Sequence, residues 1–136
     1  MVRLRSRRPP LPGAVVCCEA SFGKLKRYCE DKFVTKHVAT IGIDFGVKPV
    51  DLAGSGLVKI NFFDFAGGPE YFEIRNEFYK DAQGALLVFD VASQASLDAL
   101  SKWLKEGEEF GMRNCAFVLC GNKADSKKRE HYVTKT

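Results

Sequence analysis

Apolar and polar positions along the chain fall into three patterns. Unbroken apolar runs stand at "AVVCC" (14–18), "GALLVFDV" (84–91) and "CAFVLCGN" (115–122), as expected of short strands buried inside a sheet. In "IGIDFGVKPV" the residues Ile41, Ile43, Phe45 and Val47 alternate with Gly42, Asp44, Gly46 and Lys48, which predicts a strand with the apolar set buried on one face. Pro49 cannot donate to a ladder and puts that strand at a sheet edge. After a turn at "LAGSG" (52–56), "LVKINFFDF" alternates through Val58, Ile60 and Phe62 and reads as the second arm of a hairpin. Helical spacing places Leu97, Leu100, Trp103 and Leu104 on one stripe, with Ser96 as N-cap and Gly111 near the end. A shorter helix is predicted at "GKLKRYCED" (23–31). With a further helix between the hairpin and "GALLVFDV", the order is strand, helix, hairpin, helix, strand, helix, strand. That is an α/β fold with a mostly parallel sheet.

Composition adds limits. A chain of 136 residues, 46% hydrophobic and 28% charged, has the makings of one domain. The net charge of +4 gathers partly at the ends, in Arg3, Arg5, Arg7 and Arg8 and in Lys127, Lys128 and Arg129. Residues 1–12 read as a disordered basic arm. Short basic ends are ordinarily solvated, so the nucleic-acid signal is not strong. Five cysteines without CxxC spacing and only two histidines argue against a zinc site or a disulfide framework. Reduced thiols point to an intracellular, cytoplasmic setting, with the nucleus also open. The basic start lacks an apolar signal stretch, no run reaches transmembrane length, and "VTKT" offers no prenylation cysteine. No membrane anchor is expected. His37 and His131 read as surface residues, and Asp44 as solvated on its edge strand.

In parallel sheets, ligands gather at the carboxyl ends of strands. Gly23-Lys24 follows the first apolar run, Asp64-Phe65-Ala66-Gly67 follows "LVKINFF", and Gly121-Asn122-Lys123-Ala124-Asp125 follows "CAFVLC". Each alone is weak evidence, the last the least so, because a carboxylate there accepts both N–H groups of a guanine edge. In this order, with a strand before each, they form a pattern. The chain resembles the Ras-superfamily small GTPases, and most of all their Rab branch. "ATIGIDFGV" looks like the Rab effector segment, "DFAGGPEYF" like switch II and "CGNKAD" like the base-recognition motif. "KRYCEDKF", "IRNEFYKDAQGALLVFDV" and the AGxP form of switch II are similar to Rab-like chains that continue into a J domain.

The resemblance implies a P-loop NTPase fold, a Ras-like mostly parallel sheet with helices on both faces, spanning residues 13–136. It implies GTP or GDP as ligand, with Mg2+. Gly23, Lys24, Thr40 and Gly67 would meet the phosphates, Thr40 and Asp64 the metal, and Asn122, Lys123 and Asp125 the guanine, Lys123 packing along the ring. Partners would be the guanine nucleotide and effector or regulator proteins acting through switch I and switch II.

The pattern also breaks. The first glycine of G-x-x-x-x-G-K-[ST] falls on Cys18, and a side chain there strains or opens the loop, at a cost of about 1–3 kcal/mol. Leu25 stands where the motif has a magnesium-binding hydroxyl, a loss of roughly 1.5–3 kcal/mol. Lys24 and Thr40 are about three residues closer than in Rab-like chains, which on a helix amounts to about 4.5 Å and roughly 300° of rotation. The deficit therefore falls at the helix start, making Leu25 a core residue, or in the loop near Phe33–His37. Gly68 and Pro69 follow Gly67 where many relatives place a water-orienting glutamine, so no catalytic residue is assigned and hydrolysis is expected to be slow or absent. The last strand and helix of the family, the loop over the base and a J domain have no counterpart, and the absent strand is expected beside the first.

These features predict a guanine-nucleotide-binding switch with a degenerate phosphate loop. The alternative is a nucleotide-free pseudo-GTPase serving as an interaction module or truncated isoform. Nucleic-acid binding through the arginine arm is a third reading.

Overall fold

The computed structural model describes residues 13–18, 22–32, 39–54 and 56–125, with the backbone alone at 13–18 and 22–24. The proposed arm at 1–12, His37 and His131 lie outside the described residues. Five strands, β1 (Gly13–Cys18), β2 (Ile43–Leu52), β3 (Gly56–Phe65), β4 (Gly84–Asp90) and β5 (Ala116–Asn122), form one sheet in the order β2-β3-β1-β4-β5. β1 runs parallel to β3 and β4, and β4 parallel to β5, while the hairpin pairs β2 with β3 antiparallel. Three α-helices connect them: α1 (Phe22–Glu30), α2 (Phe72–Tyr79) and α3 (Gln94–Glu109).

Alternation along β3 divides the core between two faces. Phe62, with Ile60 behind it, packs against Leu25 and Cys29 of α1 and Leu86 of β4. Phe65 belongs to the larger cluster on the other face, with Tyr79 of α2, Leu100 and Trp103 of α3, and Ala85 and Leu87 of β4. The ring of Phe65 meets that of Tyr79 edge-on at 5.3 Å. Helices thus cover both faces, as predicted, and the stripe of α3 is buried as its spacing requires.

Five local expectations need correction. β2 is an edge strand, but Ile41, Phe45 and Val47, predicted to be buried, are 80%, 56% and 38% exposed. The helix covers the opposite face at Gly46, where a Cβ would lie 2.9 Å from Cys29 Sγ and 3.1 Å from Leu25 Cδ1. Asp44 is accordingly half-buried rather than solvated, its Oδ1 accepting from the Phe45 N–H. The cap of α3 is Ser93, whose hydroxyl accepts from the Ser96 N–H; Ser96 sits inside the first turn. β5 is apolar but not covered: Phe117, Val118 and Leu119 are exposed. Finally, β1 is paired on both sides, so no absent strand could lie beside it; the unpaired edges of the described sheet belong to β2 and β5.

Candidate functional site

Because β1, β3, β4 and β5 are mutually parallel, their carboxyl ends, Cys18, Phe65, Asp90 and Asn122, open onto one rim of the sheet. Gly23 and Lys24 lie in the first turn of α1, five and six residues after Cys18 at the end of β1, their side chains being outside the described residues.

Thr40 and Asp64 come together there. The Ala66 N–H donates to the Gly42 carbonyl at 2.8 Å, fastening the segment before β2 to the end of β3. This brings the Thr40 hydroxyl to the Asp64 carboxylate, donating to Oδ2 at 3.0 Å. Asp64 is 1% exposed, a burial that a carboxylate tolerates only with strong partners. One hydroxyl and one carboxylate suit a hard divalent cation that keeps several waters and takes its other oxygens from a bound phosphate. Among the described residues there is no cluster of three acidic, histidine or cysteine side chains for an all-protein cage.

Leu25 does not contribute. It is 6% exposed and packs on Phe62. Phe62 precedes Asp64 by two residues on the same face, about 7 Å deeper along the strand. The position after Lys24 thus belongs to the core, in line with the first of the two placements of the shortened segment.

Gly67 is exposed at the start of the loop that follows β3, and Gly68 continues it in extended conformation, φ −64 and ψ 142. Behind the loop stands Arg75, 6% exposed. Its Nη1 donates to the Ala66 and Gly68 carbonyls at 3.1 and 2.8 Å, and its Nε and Nη2 donate to Glu106 at 2.6 and 2.9 Å. The Tyr79 hydroxyl donates to the same carboxylate at 2.7 Å, and the guanidinium lies 4.9 Å from the Trp103 ring centre. Burial works to raise the Glu106 pKa, but the hydrogen bonds from Arg75 and Tyr79 outweigh it and hold the carboxyl below its ordinary value. The bond to Glu106 raises that of Arg75. A cleft beside this pair is lined by Gly67, Ala99, Lys102 and Trp103 as well as Arg75 and Glu106; it borders the rim at Gly67 but includes none of Thr40, Asp64 or Asn122.

At the other end of the rim, Asn122 pairs with Asp90, and the Val91 N–H donates to the Asn122 carbonyl at 3.0 Å. Lys123 follows at φ 62, and its Nζ lies 2.8 Å from Asp90 Oδ2. Asp125 is exposed two residues on. Sequence reasoning missed Asp90 and the Arg75–Glu106 pair. Asp90 was findable as the acid ending an apolar run. Arg75 and Glu106 were not, because they stand 31 residues apart and meet only through tertiary packing.

Among the described residues no helix is long and apolar enough to cross a membrane. The sequence model of the Ras family matches residues 14–136. DnaJ homolog subfamily C member 27 of Danio rerio is 51% identical over 110 residues, covering 77% of this chain and 40% of that protein. The Homo sapiens protein of the same name is 50% identical over 109 residues, 76% of this chain and 40% of its own. DnaJ homolog subfamily C member 27-B of Xenopus laevis is 44% identical over 137 aligned positions, 93% and 49% respectively. The chain therefore spans two fifths to one half of the length of these relatives.

Proposed function

The chain belongs to the Ras family, with a Rab-like character, and from that premise we propose that it binds GTP and GDP as a molecular switch whose phosphate loop is degenerate and whose hydrolysis is slow or absent. The observation that carries this reading is the meeting of the Thr40 hydroxyl and Asp64 carboxylate at the rim where Asn122, Lys123 and Asp125 also emerge. Gly23 and Lys24 contact the phosphates, Lys24 as a point charge, and Gly67 offers its amide to the γ-phosphate. Asn122 and Asp125 read the guanine edge. Lys123, tied to Asp90, supports the base loop from the side of β4. Thr40 and Asp64 would hold Mg2+, which would neutralise phosphate charge, with one protein hydroxyl fewer than the complete motif, because Leu25 lies in the core. Gly68 provides no side chain to orient water, which limits turnover. The exposed Ile41, Phe45, Phe72 and Ile74 are the apolar surface that an effector or regulator would cover.

Isothermal titration with GDP and Mg2+ tests the reading, with ATP as control. Heat with GDP and none with ATP is expected; absence of heat at millimolar GDP refutes it. The burial of Leu25 favours one second reading, a nucleotide-free interaction module of the same family. Co-purified GDP or GTP in a native mass spectrum excludes that module.

A further inference from the structure

The pair of Arg75 and Glu106 belongs to none of the phosphate, metal or base motifs, yet it holds the backbone on both sides of Gly67. Arg75 Nη1 is shared between two carbonyls, those of Ala66 and Gly68. The Ala66 carbonyl and the Gly67 N–H belong to one trans peptide plane and point in opposite directions. Turning that oxygen toward Arg75 therefore turns the Gly67 N–H away from α3. The Gly68 carbonyl, whose peptide with Pro69 has no N–H, accepts from Arg75 at 2.8 Å and from the Tyr71 N–H at 3.2 Å, so the guanidinium and the following turn hold it together. The guanidinium is itself fixed by a two-point contact with Glu106, by the Tyr79 hydroxyl on that carboxylate and by the Trp103 ring beneath. A planar fork held at this many points has one orientation, unlike a lysine ammonium.

We propose that Arg75, locked by Glu106, is a positioning residue that aims the Gly67 amide at the terminal phosphate of a bound triphosphate, and so sets the preference of the chain for tri- over diphosphate. This rests on the nucleotide reading above. A diphosphate has no group at that amide, so loosening the latch acts on one ligand and spares the other. The loss of a well-aimed amide-to-anion hydrogen bond corresponds to about tenfold in affinity.

The test titrates the 136-residue chain with fluorescent GDP and a fluorescent non-hydrolysable GTP analogue, in Glu106→Gln and Tyr79→Phe variants. Glu106→Gln keeps the shape and removes the charge; Tyr79→Phe removes a single hydroxyl from the carboxylate and carries the test if the first variant does not fold. Glu106→Gln is expected to weaken the triphosphate about tenfold with diphosphate affinity changed less than about twofold, and Tyr79→Phe to shift the same ratio less. Equal shifts for both ligands, or none in a folded variant, overturn the proposal. If the unaltered chain binds neither ligand, the nucleotide reading has failed by itself. The latch is then judged from the 15N order parameter of Gly67, expected to fall from about 0.85 to below about 0.6 in the variants. An unchanged Gly67 overturns it.

Discussion

Replacing Leu25 by serine restores the hydroxyl that the phosphate-loop pattern asks for after the lysine. Motif logic expects Leu25→Ser to strengthen magnesium-dependent nucleotide binding; the packing predicts the reverse. Leu25 is 6% exposed and lies against Phe62, Ile60, Leu86 and Cys29. Truncating a buried leucine typically costs about 2–5 kcal/mol. Leaving a hydroxyl in an apolar site adds roughly 1–3 kcal/mol. The sum, about 3–8 kcal/mol, is a large share of the roughly 5–15 kcal/mol that holds a domain of this kind. The new hydroxyl would also point at Phe62, about 7 Å along the strand from Asp64 and beyond direct coordination of a shared cation. Urea unfolding followed by circular dichroism should show a much lower midpoint with unchanged slope, and GDP titration with and without Mg2+ should show no gain in magnesium dependence. A stable Leu25→Ser variant with newly magnesium-dependent binding would refute the placement of Leu25 in the core.

Gly46→Ala should destabilise by about 1–3 kcal/mol, measured by the same unfolding assay, because its methyl collides with Cys29 and Leu25 and lifts α1 from β2. Arg75→Ala removes the guanidinium from a mostly buried carboxylate and from the Ala66 carbonyl, and a loss of roughly 3–5 kcal/mol is expected; thermal unfolding reads it. Because the Glu106 carboxyl titrates below its ordinary 4.5 in the folded chain, the stability it contributes is complete above that value and disappears as pH falls through the lower folded one. A thermal melt series across that acid range should therefore be steeper for the unaltered chain than for Glu106→Gln. Asp125→Asn should weaken GDP by roughly ten- to a hundredfold, since an amide cannot accept from both N–H groups of guanine; unchanged heat on titration would remove Asp125 from the site.

The sheet was largely legible because unbroken apolar runs and alternation report strands directly. Turn chemistry at 52–56 and Pro49 located the hairpin and its edge. Which face of β2 is buried was not legible. Alternation marks two faces, and only the seating of α1 over the small Gly46 decides that the glycine-bearing side is covered. The cap of α3 slipped by three residues because two serines, Ser93 and Ser96, each had a suitable side chain, and the hydrogen bond between them chose the first. At the site, Asp64 was singled out in a short motif at a strand end and Thr40 through the family resemblance; the hydrogen bond that joins them was not legible, because they lie 24 residues apart. Nor was the Arg75 latch, since it joins α2 to α3 through tertiary contact alone.

The place of β5 at the edge of the described sheet has a practical consequence for anyone handling the molecule. Among the described residues β5 is an edge strand with neighbouring Phe117, Val118 and Leu119 exposed and no charge from Ala116 to Asn122, a combination that invites adventitious strand addition. Light scattering should rise with protein concentration, and a lysine at Val118 should suppress it. Titrations intended to measure nucleotide affinity belong at the dilute end, where self-adhesion does not masquerade as binding heat.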